Sequence, residues 1–261
     1  MKVKIIDKTG NEKTSIDLPK NFSERIREDI LAKIFEAQKG IYSQPFGSMK
    51  GAGAGYSASG ILRHKRHAWK TTYGKGISRV PRKIMSRHGS SFNWIGATVS
   101  NTRGGRRPHA PKSEKNPFRK TNKKELIIGF NSAFAGTMDP KSLEKKYGKK
   151  ILSGFVFDES VLSLKTKEFL ELMKKVFGET FSKILKVKTI RPGIGKMRGR
   201  KYKTNAGLLF VIGDDESMSR KGIDVVAVDE LRISDLSPNG EPGRIACYTE
   251  KAIKEIGERF K

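Results

Sequence analysis

Seventy-seven consecutive residues, Ala37 to Ser113, contain no Asp or Glu. At the chain's average acid content, about eight carboxylates belong in a stretch of that length. The window instead holds 15 Lys or Arg, all four His, both Trp and 12 of the 27 Gly. Ile, Leu and Val number only 8 inside it, against 41 in the other 184 residues. A segment so poor in aliphatics cannot offset its ordering entropy by burial. The reading is a globular body interrupted by a long insertion, since structureless stretches of this length are rare in compact domains and usually functional. Residues 1–40 form the first part of the body, 41–120 a long Gly-rich basic loop, and 121–261 the remainder.

Charge narrows the partners. The chain carries 54 Lys plus Arg against 27 Asp plus Glu, a net +27. Such a surplus repels itself, and a polyanion is the simplest resident partner that removes it. No run of 18 apolar residues occurs, so a membrane span is not expected. The N-terminus has no apolar stretch of signal-peptide length. A single Cys, Cys247, excludes an intramolecular disulfide framework and any zinc site built on two thiolates. The expectation is a cytoplasmic chain without cofactor or metal.

The body reads as strands alternating with helices. Val3–Ile6 and Ser15–Leu18 suggest short strands around a turn. Ser23 is a candidate N-cap for a helix carrying Ile26, Ile30, Ile34 and Ala37, with Gly40 just past its end. Asn122-Lys-Lys-Glu125 has the spacing of a capping box, and Asp139-Pro140 that of an N-cap followed by proline at the first helical position. Residues 151–157, 184–190, 208–212, 224–228 and 245–248 suggest further strands. Phe169, Leu172, Met173, Val176 and Phe177 share a helical face ended by Gly178. Thr249 caps a last helix. This alternation predicts an α/β fold: a mostly parallel sheet flanked by helices and interrupted by the extended basic loop.

Several motifs resemble catalytic or cofactor signatures without their context. Gly51-Ala-Gly-Ala-Gly-Tyr-Ser-Ala58 contains GxGxxA, but a dinucleotide site needs a preceding strand and an acid about 20 residues on. Neither is present, so the glycines are read as backbone that passes close to something. His64 and His67 are flanked by Arg63, Lys65, Arg66 and Lys70, whose charge opposes a metal ion. Asp158-Glu159 and Asp214-Asp215-Glu216 follow predicted strands, where α/β enzymes gather ligands. They are read as structural acids that cap the next helix and balance its dipole.

The basic segments point to RNA. Lys and Arg suit phosphates, and Tyr56, Trp69, Tyr73, Phe92 and Trp94 offer stacking surfaces. The expected contacts are Arg63, His64, Lys65, Arg66, His67, Trp69, Lys70, Tyr73, Trp94, Arg103, Arg106, Arg107 and Lys112. A second loop, 191–203, has six cations, three Gly and no acid in 13 residues. There Lys196, Arg198, Arg200 and Lys201 are the expected contacts, because glycine lets backbone approach while guanidinium binds phosphate bidentately.

Gly74-Lys-Gly-Ile-Ser-Arg-Val-Pro-Arg82, Thr102-Arg-Gly-Gly-Arg-Arg-Pro-His-Ala-Pro-Lys112, Gly199-Arg-Lys-Tyr-Lys203 and Pro242-Gly-Arg-Ile-Ala-Cys-Tyr-Thr-Glu-Lys-Ala252 together resemble ribosomal large-subunit protein four of the archaeal and eukaryotic type. The resemblance runs nearly the whole chain in order. It implies a structural rRNA binder, important early in assembly, whose loop tip helps line the peptide exit tunnel. It places the tip between Lys75 and Phe92, with Arg79, Arg82, Lys83 and Arg87 nearest the tunnel. The implied partners are large-subunit rRNA, other large-subunit proteins and the nascent polypeptide, with no membrane and no homo-oligomer. The absence of a long basic tail after the last helix suggests an archaeal member. Two other readings stay open from the residues alone: an RNA-modifying α/β enzyme, and a free RNA chaperone.

Overall fold

The computed structural model describes residues 1–58, 73, 74, 76–148, 154–220 and 222–260. The chain divides into two compact units, one of residues 1–42 and 118–261 and one of residues 43–117.

The first unit is an α/β layer structure. Its strands are β1 (Lys2–Ile6) and β2 (Glu12–Asp17), followed by helix α1 (Glu28–Tyr42). In the second unit lie β3 (Arg82–His88) and β4 (Ser91–Gly96). The first unit resumes with α2 (Lys123–Met138), α3 (Pro140–Tyr147), β5 (Phe155–Phe157), α4 (Thr166–Phe177) and the single turn α5 (Phe181–Ile184). There follow β6 (Lys188–Ile190), β7 (Tyr202–Thr204), β8 (Leu209–Ile212), β9 (Asp224–Ala227), α6 (Ile233–Leu236), β10 (Ala246–Thr249) and α7 (Glu250–Arg259). Six strands form one sheet in the order β2-β1-β5-β10-β8-β9. Only the β1–β2 pair is antiparallel; the other four pairings are parallel.

The central strands are apolar on both faces because both faces are covered. Val156, Leu209, Val211, Ala246 and Tyr248 pack against α1, α2 and α7 through Leu31, Ile34, Phe134, Ile253 and Ile256. The alternate residues Phe155, Phe157, Phe210, Ile212 and Cys247 pack on the other side against Leu143, Phe169, Leu172, Met173 and Phe177. A one-residue slip of any of these strands would exchange its two layers, so register is strongly specified.

Several helix ends follow sequence logic. Asp139 accepts from the Ser142 backbone N–H at 3.0 Å, Pro140 opens α3, and Gly148 closes it at φ 70°. Thr249 Oγ1 accepts from the Ala252 N–H at 3.2 Å and caps α7. Other ends differ from expectation. Ser23 does not cap α1. Phe22 is buried and Asn21 is tied to Asn131 and the Phe260 carbonyl, so Lys20–Ser23 closes as a 3-10 turn and α1 starts at Glu28. Gly40 lies inside α1, not past its end. Asn122 precedes α2 without a side-chain cap bond, and the Glu125 carboxylate instead accepts from Lys33 Nζ at 2.8 Å. The strand expected at 184–190 is the turn α5 followed by β6. Of the strand expected at 151–157, residues 155–157 are observed and 151–153 lie outside the described residues.

Arg244 is the polar centre of the first unit. It is 3% exposed. Its Nε donates to the Gly207 carbonyl at 3.0 Å, and Nη1 donates to the Asp235 carbonyl at 2.6 Å. Nη2 donates to the Ala206 carbonyl and to Asp224 Oδ2, both at 2.6 Å. Lys186 contacts the other Asp224 oxygen. Burial opposes ionisation of Asp224, but the bonds from Lys186 and Arg244 outweigh it and hold the carboxyl below its ordinary 3.8. Arg244 thus joins the loop before β8 and helix α6 to the start of β10.

Two outcomes follow. Arg244→Ala leaves Asp224 with one cation and strands several carbonyls. Breaking a buried pair costs about 3–5 kcal/mol, and the remaining Lys186 places this case near the lower end; urea unfolding checks it. A carboxyl whose folded pKa is depressed contributes stability above its unfolded pKa and loses it as pH falls through the folded value. The acid limb of stability below about pH 4 is therefore shallower in Asp224→Asn than in the native chain, measured by thermal unfolding across that range.

Candidate nucleic-acid interface

The unit of residues 43–117 contains a single acid, Glu114. It is not extended throughout, as the aliphatic count suggests. Residues 82–96 form an antiparallel ribbon in which Arg82 pairs with Gly96 and His88 with Ser91. Gly89 and Ser90 make its two-residue turn, with Gly89 at φ 56°, the positive φ such turns demand. A register shift between Ile84 and Ser86 leaves Met85 as the extra residue of a bulge.

The ribbon brings cations and aromatics together. Ile84 lies opposite Trp94, and Arg87 opposite Phe92. The Phe92 and Trp94 ring centroids are 6.0 Å apart, and the Arg87 guanidinium lies 5.4 Å from the Phe92 ring centre. Lys83 Nζ sits 3.7 Å from the centre of the Tyr56 ring, and Arg79 lies 5.8 Å from that of Tyr73. Cation–π pairs at exposed sites contribute about 0.5–1 kcal/mol each. They hold the cations in place without neutralising them, because an aromatic ring carries no net charge. Arg82 donates from Nη2 to the Ser78 carbonyl at 3.0 Å and to its hydroxyl at 2.7 Å, and Arg87 Nε donates to the Gly89 carbonyl at 2.9 Å.

The expected contact residues are placed as follows. Arg103, Arg106, Arg107 and Lys112 are exposed, as are Arg79 and Arg87; Tyr73, Arg82, Lys83 and Trp94 are half-buried. Trp94 is therefore partly committed to the ribbon. Arg87 is next to the ribbon's turn, whereas Arg82 is at its open end. Arg63, His64, Lys65, Arg66, His67, Trp69 and Lys70 lie outside the described residues.

Glycines set the path of the chain on either side of the ribbon. A Cβ on Gly53 would lie 2.6 Å from the Arg106 Cα, and one on Gly47 would lie 2.6 Å from the Ser113 nitrogen. The glycine-rich run that mimics a dinucleotide motif thus packs against its own returning chain. Gly105 is similarly held, its missing Cβ coinciding with the Val99 carbonyl oxygen at 1.8 Å. The Arg106 N–H donates to the Thr98 carbonyl at 3.2 Å.

The second basic loop is carried by the other unit. β6 and β7 pair antiparallel, and the Asn205 side chain ties their base to Val187 and Leu185. Between them the chain makes a 3-10 turn over Ile194–Arg198, flanked by Gly193 at φ 81° and Gly199 at φ 74°. Lys196, Arg198, Arg200 and Lys201 are all exposed there. Large apolar side chains alternate with them, Ile194 at 65% and Met197 at 81% exposure. Periodicity alone did not single out these apolar members, since they sit in a turn.

Four of the five strand-end acids are engaged with the protein, although not as the helix caps expected. Asp158 bonds Lys13 Nζ and the Ser160 hydroxyl, both at 3.0 Å, and the lysine holds its carboxyl below the usual range. Glu216 accepts from the Gly213 N–H and the Thr249 hydroxyl, each at 2.6 Å. Asp214 accepts from the Asp229 N–H at 2.8 Å, and Asp215 pairs with Lys251 at 2.8 Å. Among the described residues no group of His, Cys, Asp and Glu is arranged to hold a metal ion, and no helix is long and apolar enough to cross a membrane.

The same architecture has relatives. The sequence profile of the ribosomal protein L4/L1 family matches residues 16–259. The large ribosomal subunit protein uL4 of Nanoarchaeum equitans is 32% identical over 274 aligned residues, covering 99% of this chain and 98% of that one. The uL4 of Thermoplasma volcanium is 35% identical, covering 98% of each chain. That of Methanocaldococcus jannaschii is 34% identical and covers both completely. With its motifs in order, its α/β body and these matches along nearly its full length, the chain belongs to the ribosomal protein L4/L1 family, of the archaeal type.

Proposed function

We propose that this chain is a structural constituent of the large ribosomal subunit and binds large-subunit rRNA through the unit of residues 43–117 and the loop of residues 191–203. The observation that carries this reading is the set of exposed cations in a 75-residue unit with one acid. Carboxylates within the unit cannot neutralise them, and rRNA phosphates can. Family membership supports a structural role and argues against an enzyme.

Phosphate contacts fall to Arg103, Arg106, Arg107 and Lys112 on the returning arm and to Lys196, Arg198, Arg200 and Lys201 on the second loop. Arg63, His64, Lys65, Arg66, His67, Trp69 and Lys70 join them as further rRNA contacts. Tyr73 and Trp94 add partly covered rings on which bases stack. The arms support early assembly, and the segment of Arg79, Arg82, Lys83 and Arg87 helps line the nascent-peptide tunnel. The remaining partners are neighbouring large-subunit proteins and the nascent chain. The protein acts as a single copy in the cytoplasm, within the ribosome.

Salt titration of rRNA binding tests the reading. If eight of these cations each displace a counterion, log K falls with log salt at a slope of about −6 to −7. Replacing Arg106 and Arg107 together by Ala makes that slope shallower by about one to two. An unchanged slope removes these arginines from the phosphate contacts.

A further inference from the structure

The arms that flank the ribbon lie in direct backbone contact, and two glycines make this possible. At Gly47 an added Cβ would meet the Ser113 nitrogen at 2.6 Å and the Pro111 carbonyl oxygen at 3.0 Å. At Gly53 it would meet the Arg106 Cα at 2.6 Å, the Arg106 nitrogen at 2.7 Å and the Gly105 carbonyl carbon at 2.7 Å. Six residues forward on the outgoing arm thus correspond to about six or seven residues back on the returning arm. That is the register of two antiparallel chains packed side by side. Real Cβ atoms do not approach backbone this closely, and backbone atoms cannot swing aside as a flexible side chain can.

On the returning arm that these glycines abut stand four cations, Arg103, Arg106, Arg107 and Lys112. The Arg106 backbone is gripped from two directions. Gly53 abuts its Cα, and its N–H donates to the Thr98 carbonyl at 3.2 Å. Thr98 itself holds a φ of 64°, an uncommon conformation for a residue with a branched side chain.

We infer that Gly47 and Gly53 are positioning residues for RNA binding: they clamp the returning arm against the outgoing arm and so fix where Arg106, Arg107 and Lys112 present their charges. The inference rests on the rRNA-binding reading above and goes beyond it, because neither glycine touches RNA in this account. Phosphate binding by several guanidinium groups at once requires their spacing to match that of the phosphates. A clamp that sets this spacing before binding lowers the ordering cost of the complex.

The glycines of this segment supply their own controls. Gly51 has a φ of 81° and open space where a Cβ would go. Gly53 has nearly the same φ, 79°, and a blocked Cβ position. Gly47 is blocked, with a φ outside the left-handed region. Gly51→Ala therefore introduces backbone strain alone, Gly47→Ala a clash alone, and Gly53→Ala both.

The test is binding of the full-length variants to deproteinised archaeal large-subunit rRNA across a salt series, with circular dichroism checking that the α/β body is folded. The expected result is that Gly47→Ala and Gly53→Ala each make the log K against log salt slope shallower by about one to two, as losing one or two phosphate contacts does. Gly51→Ala keeps the native slope. Adding Arg106→Ala and Arg107→Ala to Gly53→Ala then brings less change than the arginine pair brings alone, because the two perturbations act on the same contacts. If Gly47→Ala and Gly53→Ala keep the native slope while the arginine pair alters it, the clamp is overturned and the rRNA reading stands. If Gly51→Ala, whose Cβ meets nothing, acts as strongly as the other two, the slope does not report close approach, and the clamp is again overturned. If the arginine pair itself has no effect, the phosphate assignment fails and the clamp's purpose fails with it.

Discussion

Uncompensated positive charge is the constraint on which the rest of this protein depends. Two like charges about 4 Å apart repel by about 1 kcal/mol even in water, and by more near a protein surface. In the α/β unit, acids are interleaved with cations and take up several of them: Lys13 with Asp158, Lys33 with Glu125, Lys186 and Arg244 with Asp224, Lys251 with Asp215. The unit of residues 43–117 has one carboxylate. Among the described residues, Arg79, Arg82, Lys83 and Arg87 are steadied there by Ser78, the Gly89 carbonyl and aromatic rings, which orient them and leave their charge in place. The two units therefore solve different problems, one burying apolar faces on a sheet and the other holding charge ready for a partner.

The same use of acids appears at the positions where an α/β sheet usually gathers ligands. The carboxyl ends of β5 and β8 carry acids, and Asp158, Asp214, Asp215 and Glu216 each bind groups of the protein itself. Asp158 joins the β1–β2 turn to the end of β5 through Lys13. Glu216 connects the end of β8 to Thr249, which caps α7. Arg244 belongs to the same logic, because its guanidinium binds backbone carbonyls of segments that no strand pairing connects. Membership in a family of structural ribosomal proteins agrees with strand ends spent on architecture.

The body was legible because its strands are continuous apolar runs that serve two layers at once. Phe155-Val156-Phe157, Leu209–Ile212 and Ala246–Thr249 admit few other readings. Boundaries were less so, for reasons that lie in tertiary contacts. Burial of Phe22 and anchoring of Asn21 delay α1 past a good local N-cap, and Lys33 draws Glu125 away from its capping box. The ribbon of β3 and β4 is not legible in this way because Arg, Lys, Ser and His fill much of it and Ile84 and Ile95 are its only Ile, Leu or Val residues, so an aliphatic count does not register it. The Gly-Ser turn between Ile84 and Phe92 was the available signal. At the candidate site, the identity of the cations could be read directly. Their arrangement could not, since the spacing of Gly47 and Gly53 acquires meaning only once the returning arm is beside them.

Ultraviolet crosslinking of intact large subunits containing this chain, with the attached peptides identified by mass spectrometry, is the sharpest test of RNA binding by residues 43–117. The account predicts that RNA-linked peptides concentrate in residues 43–117 and 188–204, with none from the buried strands 209–212 and 246–249. Crosslinks spread over the helices and sheet edge of the α/β unit, with residues 43–117 unmodified, would contradict it.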